Sequence, residues 1–280
     1  MSKITDYVEQ TSVAAADVIL IDGAGGTHKI KLSEAILKAL DAATPTEGRA
    51  ALHNSIYRGK KLGTAVSAKQ WAAIAANTFD DIWLGDYWTI GSIDYRAAFF
   101  DGYLGQGDTA FNKPHIVMVP DQQLYTAKMN DANTTEGGYA GSAMVKENLE
   151  SAKTTIKNAF GEAHVLSHRI MYTNAMTDGH PSAGSWYDSL VDLMTERNVY
   201  GDAVHSPRND GVTIPYNYTV DTSQFPLFAA NHKMINPGCY WYWLRDPISA
   251  SRFAVVHASG DANWGSASTA GGVRPAFCIG

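Results

Sequence analysis

The residues of this chain that could do chemistry are nine histidines, two cysteines and a scatter of acidic side chains. His164 and His168, in "HVLSHR", stand four apart and would share one face of a helix. A metalloprotease helix places glutamate directly after its first histidine as general base. Val165 stands there instead, and no third ligand is evident. His115, ahead of "IVMVP", is expected to end a strand edge. For nucleophilic attack there is no G-x-S-x-G elbow, and neither Cys239 nor Cys278 has a histidine close by in the chain. Asp80 with Asp81 reads as loop solvation, and Asp188 with Asp192 as helix-surface or capping groups; a glycosidase would need two acids flanking a sugar. Gly23, Gly25 and Gly26 are followed by Thr27, His28 and Lys29, which meets neither the phosphate-loop nor the dinucleotide pattern. A tight hairpin turn, where residues must adopt φ > 0, explains these glycines. In "MNDANTTEGGYAGS" (129–142), Asn130, Asp131, Asn133 and Glu136 follow the spacing of a calcium loop only loosely. Asn and Thr side chains that bond their own backbone make it an ordered loop capping the next helix. No motif meets the requirements of a catalytic site. The chain is therefore expected not to be an enzyme, with no catalytic or metal-ligating residues and no cofactor.

The C-terminal part uses a different alphabet. "GCYWYWLRDP" (238–247) sets four large rings in a row before an Arg-Asp pair. Read as a strand, it places Tyr240, Tyr242 and Leu244 on one face and Trp241, Trp243 and Arg245 on the other. Such a strand is buried on two sides, or one side of it is a binding surface. Beyond it, Phe253 and Val255 suggest an inner strand ending at the Gly260 turn, and Val273, Pro275 and Phe277 a closing strand. Between and around these lie Ser251, Arg252, His257, Ser259, Asn263, Trp264, Ser266 and Ser268. Aromatics with Ser, Asn and Gly are the composition of adaptable recognition loops, where rigid rings give area and small polar groups give hydrogen bonds. The same residues also fit a plain surface loop with Trp264 tucked inward. Arg245 and Arg274 read as framework, since a planar guanidinium can tie several loop carbonyls or a carboxylate such as Asp246 or Asp261.

These residues need elements to hold them. Residues 18–21 and 27–31 read as strands around the Gly turn, followed by a helix capped by Ser33. Small residues, a proline and a glycine at 41–50 mark a boundary. A short helix starts at Ser67, with Gln70 completing a capping box and Asn77 ending it. From Thr78 the text is strand and loop, interrupted by two helices. One follows Gly141, with Leu149, Ala152, Ile156, Ala159 and Phe160 at helical spacing and Gly161 at its end. The other opens with Ser185 and Asp188 as a capping box, buries Leu190, Leu193 and Met194, and fades near Asn198. After Gly201 no further helical period is evident. The fold class is α+β, two helices against a small, irregular, mostly antiparallel sheet.

Composition narrows the partners. The hydrophobic share of 45% suffices for a large core, and charged residues reach only 18% against a usual share of about 25%. A net charge of −6 without a basic stripe argues against nucleic acid. The N-terminus lacks the apolar core of a signal peptide, and no stretch approaches the ~18 apolar residues of a membrane span. Cys239 and Cys278 could pair, but a chain without a secretory signal more often keeps its thiols reduced.

Six segments, "IYRGKKLG", "GDYWTI", "MNDANTTEGGY", "LMTERNVYG", "WYWLRD" and "GVRPAF", follow one another between residues 56 and 279. In this order they resemble a domain family frequent in phages and prophages of Gram-positive gut bacteria. The Trp-rich "WLRD" strand and the closing "GVRPAF" also resemble the C-type-lectin-like fold shared by formylglycine-generating enzymes and phage receptor-binding proteins. Some of those binding proteins are diversified at their C-terminal end by retroelements. The opening "DVILIDGAGGTHKIK" is similar to N-terminal segments of phage tail and fibre proteins that dock onto the virion. The resemblance implies a virion structural protein, assembled in the host cytoplasm, with a docking segment (1–43), a connector with a short helix (44–77) and a C-type-lectin-like domain (78–280). Its implied partners are other virion proteins and a host-surface glycan or protein, and its implied state is a homotrimer. Tyr242, Trp243, Arg245, Arg274 and Phe277 fall to the scaffold, and His257, Ser259, Asn263, Trp264 and Ser266 to the contact surface. The alternatives are a head or tail decoration protein without a receptor role, an enzyme of the formylglycine-generating fold, and a cell-wall hydrolase. Formylglycine-generating enzymes use a cysteine pair for copper chemistry, and Cys239 and Cys278 do not sit in a matching setting.

Overall fold

β1 (Val18–Gly23) and β2 (Gly26–Lys31) pair antiparallel, with Gly23 opposite Gly26. The computed structural model describes residues 18–23, 26–44, 48–207 and 213–280. The chain divides into two units, Met1–Arg49 and Ala50–Gly280. In the first, helix α1 (Leu32–Ala43) leaves β2 directly, with Lys31 in the extended conformation at its N-cap and no side-chain cap. Ser33 is thus not the cap expected from sequence. It lies inside the first turn, whereas a capping residue must be the extended one before the helix. The first 17 positions of the expected docking segment lie outside the described residues.

Helix α2 (Arg49–Ser55) spans the boundary, and β3 (Lys61–Gly63) and α3 (Ala68–Ala75) follow. Ser67 and Gln70 form the reciprocal capping box of α3, with Ser67 N–H donating to Gln70 Oε1 at 2.8 Å. Asn77 ends the turn at φ +58°, a left-handed conformation that asparagine tolerates. Residues 50–77 of the expected connector fall within the second unit, where β3 joins its larger sheet and His53 lies fully buried against Trp83.

That sheet has seven strands: β3, β4 (Tyr87–Ile90), β5 (Ile93–Phe100), β6 (Ile116–Pro120), β8 (Val165–Leu166), β11 (Val191–Leu193) and β16 (Pro275–Ile279). Only β3 and β4 run parallel. A five-stranded sheet, ordered β14-β13-β12-β15-β7, contains β7 (Tyr125–Ala127), β12 (Tyr242–Ser249), β13 (Arg252–Val256), β14 (Ala262–Ser266) and β15 (Gly271–Val273). The chain passes from this sheet to an interior strand of the larger one, β16, across a single residue, Arg274. Helix α4 (Glu150–Phe160) buries Ala152, Ile156 and Phe160 as its spacing predicts, after one π-helical turn at Met144–Asn148. The fold class is α+β, with several sheets and few helices.

The second expected helix is absent. Residues 185–189 belong to a ten-residue strand, β10 (His180–Ser189), paired antiparallel with β9 (His168–Thr177). Trp186 meets Tyr218 edge-on at 4.8 Å and Tyr187 stacks on Tyr172 at 5.0 Å. Leu193 is buried on β11 beside β16, so its spacing from Leu190 and Met194 comes from a buried strand and the turn after it. The working capping box lies ten residues on, where Thr195 and Asn198 start the short helix α5 (Glu196–Tyr200). A further short helix, α6 (Pro226–Ala230), starts with proline in its first turn, where the fixed φ suits it.

Candidate binding site

Strand β12 is buried on both faces: Tyr242, Trp243, Leu244 and Arg245 are each 5% exposed or less. The aromatic run therefore splits, with Trp241 half-buried and Tyr240 left exposed. Trp243 Nε1 donates to Ala127 O at 2.9 Å. Its ring and that of Trp241 come so close to Gly265 and Gly271 that a Cβ there would lie 2.7 and 2.3 Å from ring carbons. Arg274 holds the passage between the sheets. Its Nε donates to Pro120 O at 2.7 Å, Nη1 to Ile235 O at 2.6 Å and to Tyr242 Oη at 2.9 Å, and Nη2 to Met234 O at 3.0 Å. Phe277 meets Tyr95 and Phe160 in the core of the larger sheet. Arg245 pairs with Asp221, not with Asp246 or Asp261. Asp246 is instead engaged by the backbone N–H of Glu196 at 2.5 Å, and Asp261 by Ser259 in the turn after β13.

The five residues assigned from sequence to the contact surface lie along the β13–β14 hairpin. Strand β14 is the outer edge of its sheet, so alternation points Trp264 and Ser266 to one face and Asn263 to the other, the side on which Gly265 meets Trp243. Trp264 is 42% exposed, with the Arg252 guanidinium 3.6 Å over its ring. Asn263 Oδ1 accepts the backbone N–H of Trp264 at 2.8 Å. His257 Nδ1 lies 2.7 Å from Ser259 Oγ, which donates to Asp261 Oδ2 at 2.8 Å. A hydrolytic triad places histidine between serine and acid; here serine stands in the middle and the three lock a turn. Asn236 Nδ2 donates to Tyr240 O, His257 O and Ala258 O at 2.9, 2.8 and 3.1 Å. It thereby sets Tyr240, 53% exposed, beside that turn. Tyr240 was not picked from sequence, where it is one ring of four and its exposure has no local signal.

A second feature lies against β12. A cavity of about 80 Å³ is lined by Tyr139, Arg197, Tyr218, Asp221, Arg245 and Asp246, with Met171, Ile214 and Pro247 among its apolar walls. Tyr218 Oη donates to Asp221 Oδ2 at 2.8 Å, and Tyr172 donates to Asp192. Burial pushes Asp192 up to about 6 even with Arg245 near, and burial with Glu196 pushes Asp246 up to about 7. Burial also raises Asp221 against the pull of Arg245. Burial works against the charge of Arg245, yet Asp221 and its neighbours hold it well above the ordinary value. Asp192, expected on a helix surface, is 3% exposed beneath two tyrosines. Sequence reasoning missed this cluster because its members come from five separate segments, and only the Arg-Asp pair of "WLRDP" hinted at it.

The three histidines singled out from the sequence are held by hydrogen bonds and ring contacts within the fold. His164, in a single 3₁₀ turn, meets Gly280 O at 2.9 Å and stacks on Trp71 at 3.8 Å; His168 starts β9 beside Tyr103, so the two share no helix. His115 leads into β6, an interior strand rather than an edge, and is fully buried. Its Nδ1 lies 2.8 Å from Lys113 O and its Nε2 accepts from Tyr103 N–H at 3.0 Å, which fits a neutral ring. Among the described residues no three His, Cys, Asp or Glu side chains are placed to hold a metal, and no helix is long and apolar enough to cross a membrane. Cys239 and Cys278 are both free, the first exposed and the second buried. Residues 208–280, which contain β12 to β16, match a domain of unknown function, DUF6273. No curated protein and no solved structure matches the chain.

Proposed function

We propose that this chain is a bacteriophage virion structural protein of the tail or fibre type, whose second unit is a C-type-lectin-like module that binds a glycan or protein on the host surface. The observation that carries this reading is the exposed Trp264, stacked on Arg252 along a sheet edge. A rigid ring on a buried frame gives contact area at low entropic cost, and the small polar residues around it supply hydrogen bonds. The frame is the fully buried set of Tyr242, Trp243, Arg245, Arg274 and Phe277. Support also comes from the order of the six phage-like sequence segments and from the mixed architecture of irregular sheets. In the first unit, α1 exposes Ile36 and Leu40, four residues apart on one stripe, which suits docking onto other virion proteins. Several copies per particle, as a homotrimer, would multiply a weak single contact. Particles carrying Trp264→Ala are expected to adsorb to host cells far more slowly, because loss of a central aromatic costs about 2 kcal/mol, roughly thirtyfold per site. Wild-type adsorption by that variant, with the purified protein still folded, would reject the assignment.

A further inference from the structure

Buried charge needs partners, and the cavity against β12 leaves some of its own unfilled. Arg245 is 5% exposed, yet among the described residues only its Nη2 is hydrogen-bonded, to Asp221. Its Nε and Nη1 have no such partner there. Asp221, 8% exposed, accepts at Oδ2 from Arg245 and Tyr218, while Oδ1 has no partner. Asp246 Oδ2 accepts the backbone N–H of Glu196, and Asp246 lines the same space. Spare donors on a guanidinium and spare acceptors on carboxyl groups therefore border one cavity of about 80 Å³.

The charge pattern selects the ligand. An anion would meet the Arg245 guanidinium already paired with Asp221 and the Arg197 guanidinium, itself engaged, and would lie against Asp246. A cation would meet that guanidinium. A hydroxyl satisfies both sides, since its oxygen accepts from N–H and its proton goes to a carboxyl oxygen. We propose that this cavity binds the hydroxyl-bearing end of an uncharged carbohydrate or polyol, with Arg245 donating to a hydroxyl and Asp221 and Asp246 accepting from it or its neighbour. Met171, Ile214 and Pro247 supply an apolar wall for the C–H face of such a ligand. The space holds about half a dozen water-sized groups, so the ligand enters by one end, a hydroxymethyl or a vicinal diol. This site is separate from the Trp264 edge, and its chemistry holds whether or not the chain belongs to a virion.

The test uses the purified full-length chain with labelled tyrosine and tryptophan rings, followed by NMR. The probes are glycerol, methyl α-glucoside, methyl α-mannoside and N-acetylglucosamine, with acetate and methylammonium as charged controls. At least one uncharged probe is expected to saturate with a Kd of about 1 mM and to show intermolecular contacts to the rings of Tyr139 and Tyr218. Asp246→Asn keeps an acceptor for Glu196 N–H and turns the other position into a donor, so it should weaken binding about tenfold. The proposal is overturned if no uncharged probe binds by about 50 mM, if the contacts map to Trp264, or if acetate or methylammonium binds as tightly. Wild-type affinity in Asp246→Asn would also overturn it. The contact map is read on the wild-type protein and does not depend on the variant.

Discussion

Asp101 sits at φ +53°, where Oδ1 accepts the backbone N–H of His115 at 2.9 Å. Burial pushes its carboxyl up from 3.8 to about 6, and the N–H of His115 pulls it back only in part. Between those two values the folded state binds more protons than the unfolded one, so this group's contribution to stability falls as pH rises through the window. Asparagine keeps the acceptor, tolerates the left-handed backbone and does not ionise. Asp101→Asn should therefore stabilise the protein by about 1 kcal/mol near pH 7, and the gain should vanish by about pH 4. Urea unfolding at the two pH values checks this, and an equal gain at both would place the effect elsewhere. His115 and His168 act in the opposite sense. Burial lowers them from 6.5 to about 4 and about 3, with the charge of His115 adding to the effect at His168. The unfolded chain takes up protons first, so stability is intact above 6.5 and is lost as pH falls toward 4. NMR should find both rings neutral at about pH 5; a protonated ring there would contradict the packing described.

At the scale of elements, the five-stranded sheet depends on two glycines under tryptophan rings. Gly271→Ala would set a Cβ 2.3 Å from carbons of Trp241, and overpacking of this kind costs about 1–3 kcal/mol. Thermal unfolding should show that loss for Gly271→Ala and a smaller one for Trp264→Ala, whose ring is largely outside the core. Equal losses would mean that Trp264 is a core residue. The same elements show what could be seen from sequence. The capping box of α3 and the apolar face of α4 are local patterns, and both stand where spacing put them. The end of β10, residues 185–189, reads from sequence as the start of a helix because Leu190, Leu193 and Met194 beyond it mimic helical spacing. What decides against it is pairing with residues 168–177 and contact with Tyr218, and neither is visible in a short window. Arg245 was expected to find a near neighbour, but its partner Asp221 comes from a distant loop chosen by the fold.

For the whole molecule, Arg274 is the joint between the seven-stranded and five-stranded sheets of the second unit. Replacing it with lysine keeps the charge but loses the planar fork that satisfies Pro120, Met234, Ile235 and Tyr242 together. Arg274→Lys should cost about 3 kcal/mol of stability, read as a shift in the urea midpoint; a change below about 1 kcal/mol would show that the joint is held otherwise. The proposed contact surface is built on this frame and would be positioned before a partner arrives. Tyr242, Trp243, Arg245, Arg274 and Phe277, given to a scaffold by the resemblance, are all buried. The proposed contact surface is legible in the sequence only as a composition, since alternation on β14 divides Asn263 from Trp264 and Ser266. Hydrogen–deuterium exchange of the purified chain, alone and with host cell envelopes, resolves that surface directly. Slowed exchange confined to β13, β14 and the turn between them, residues 252–266, is expected. Unchanged exchange there while the envelopes are bound, or protection only elsewhere, would contradict a binding role for this edge.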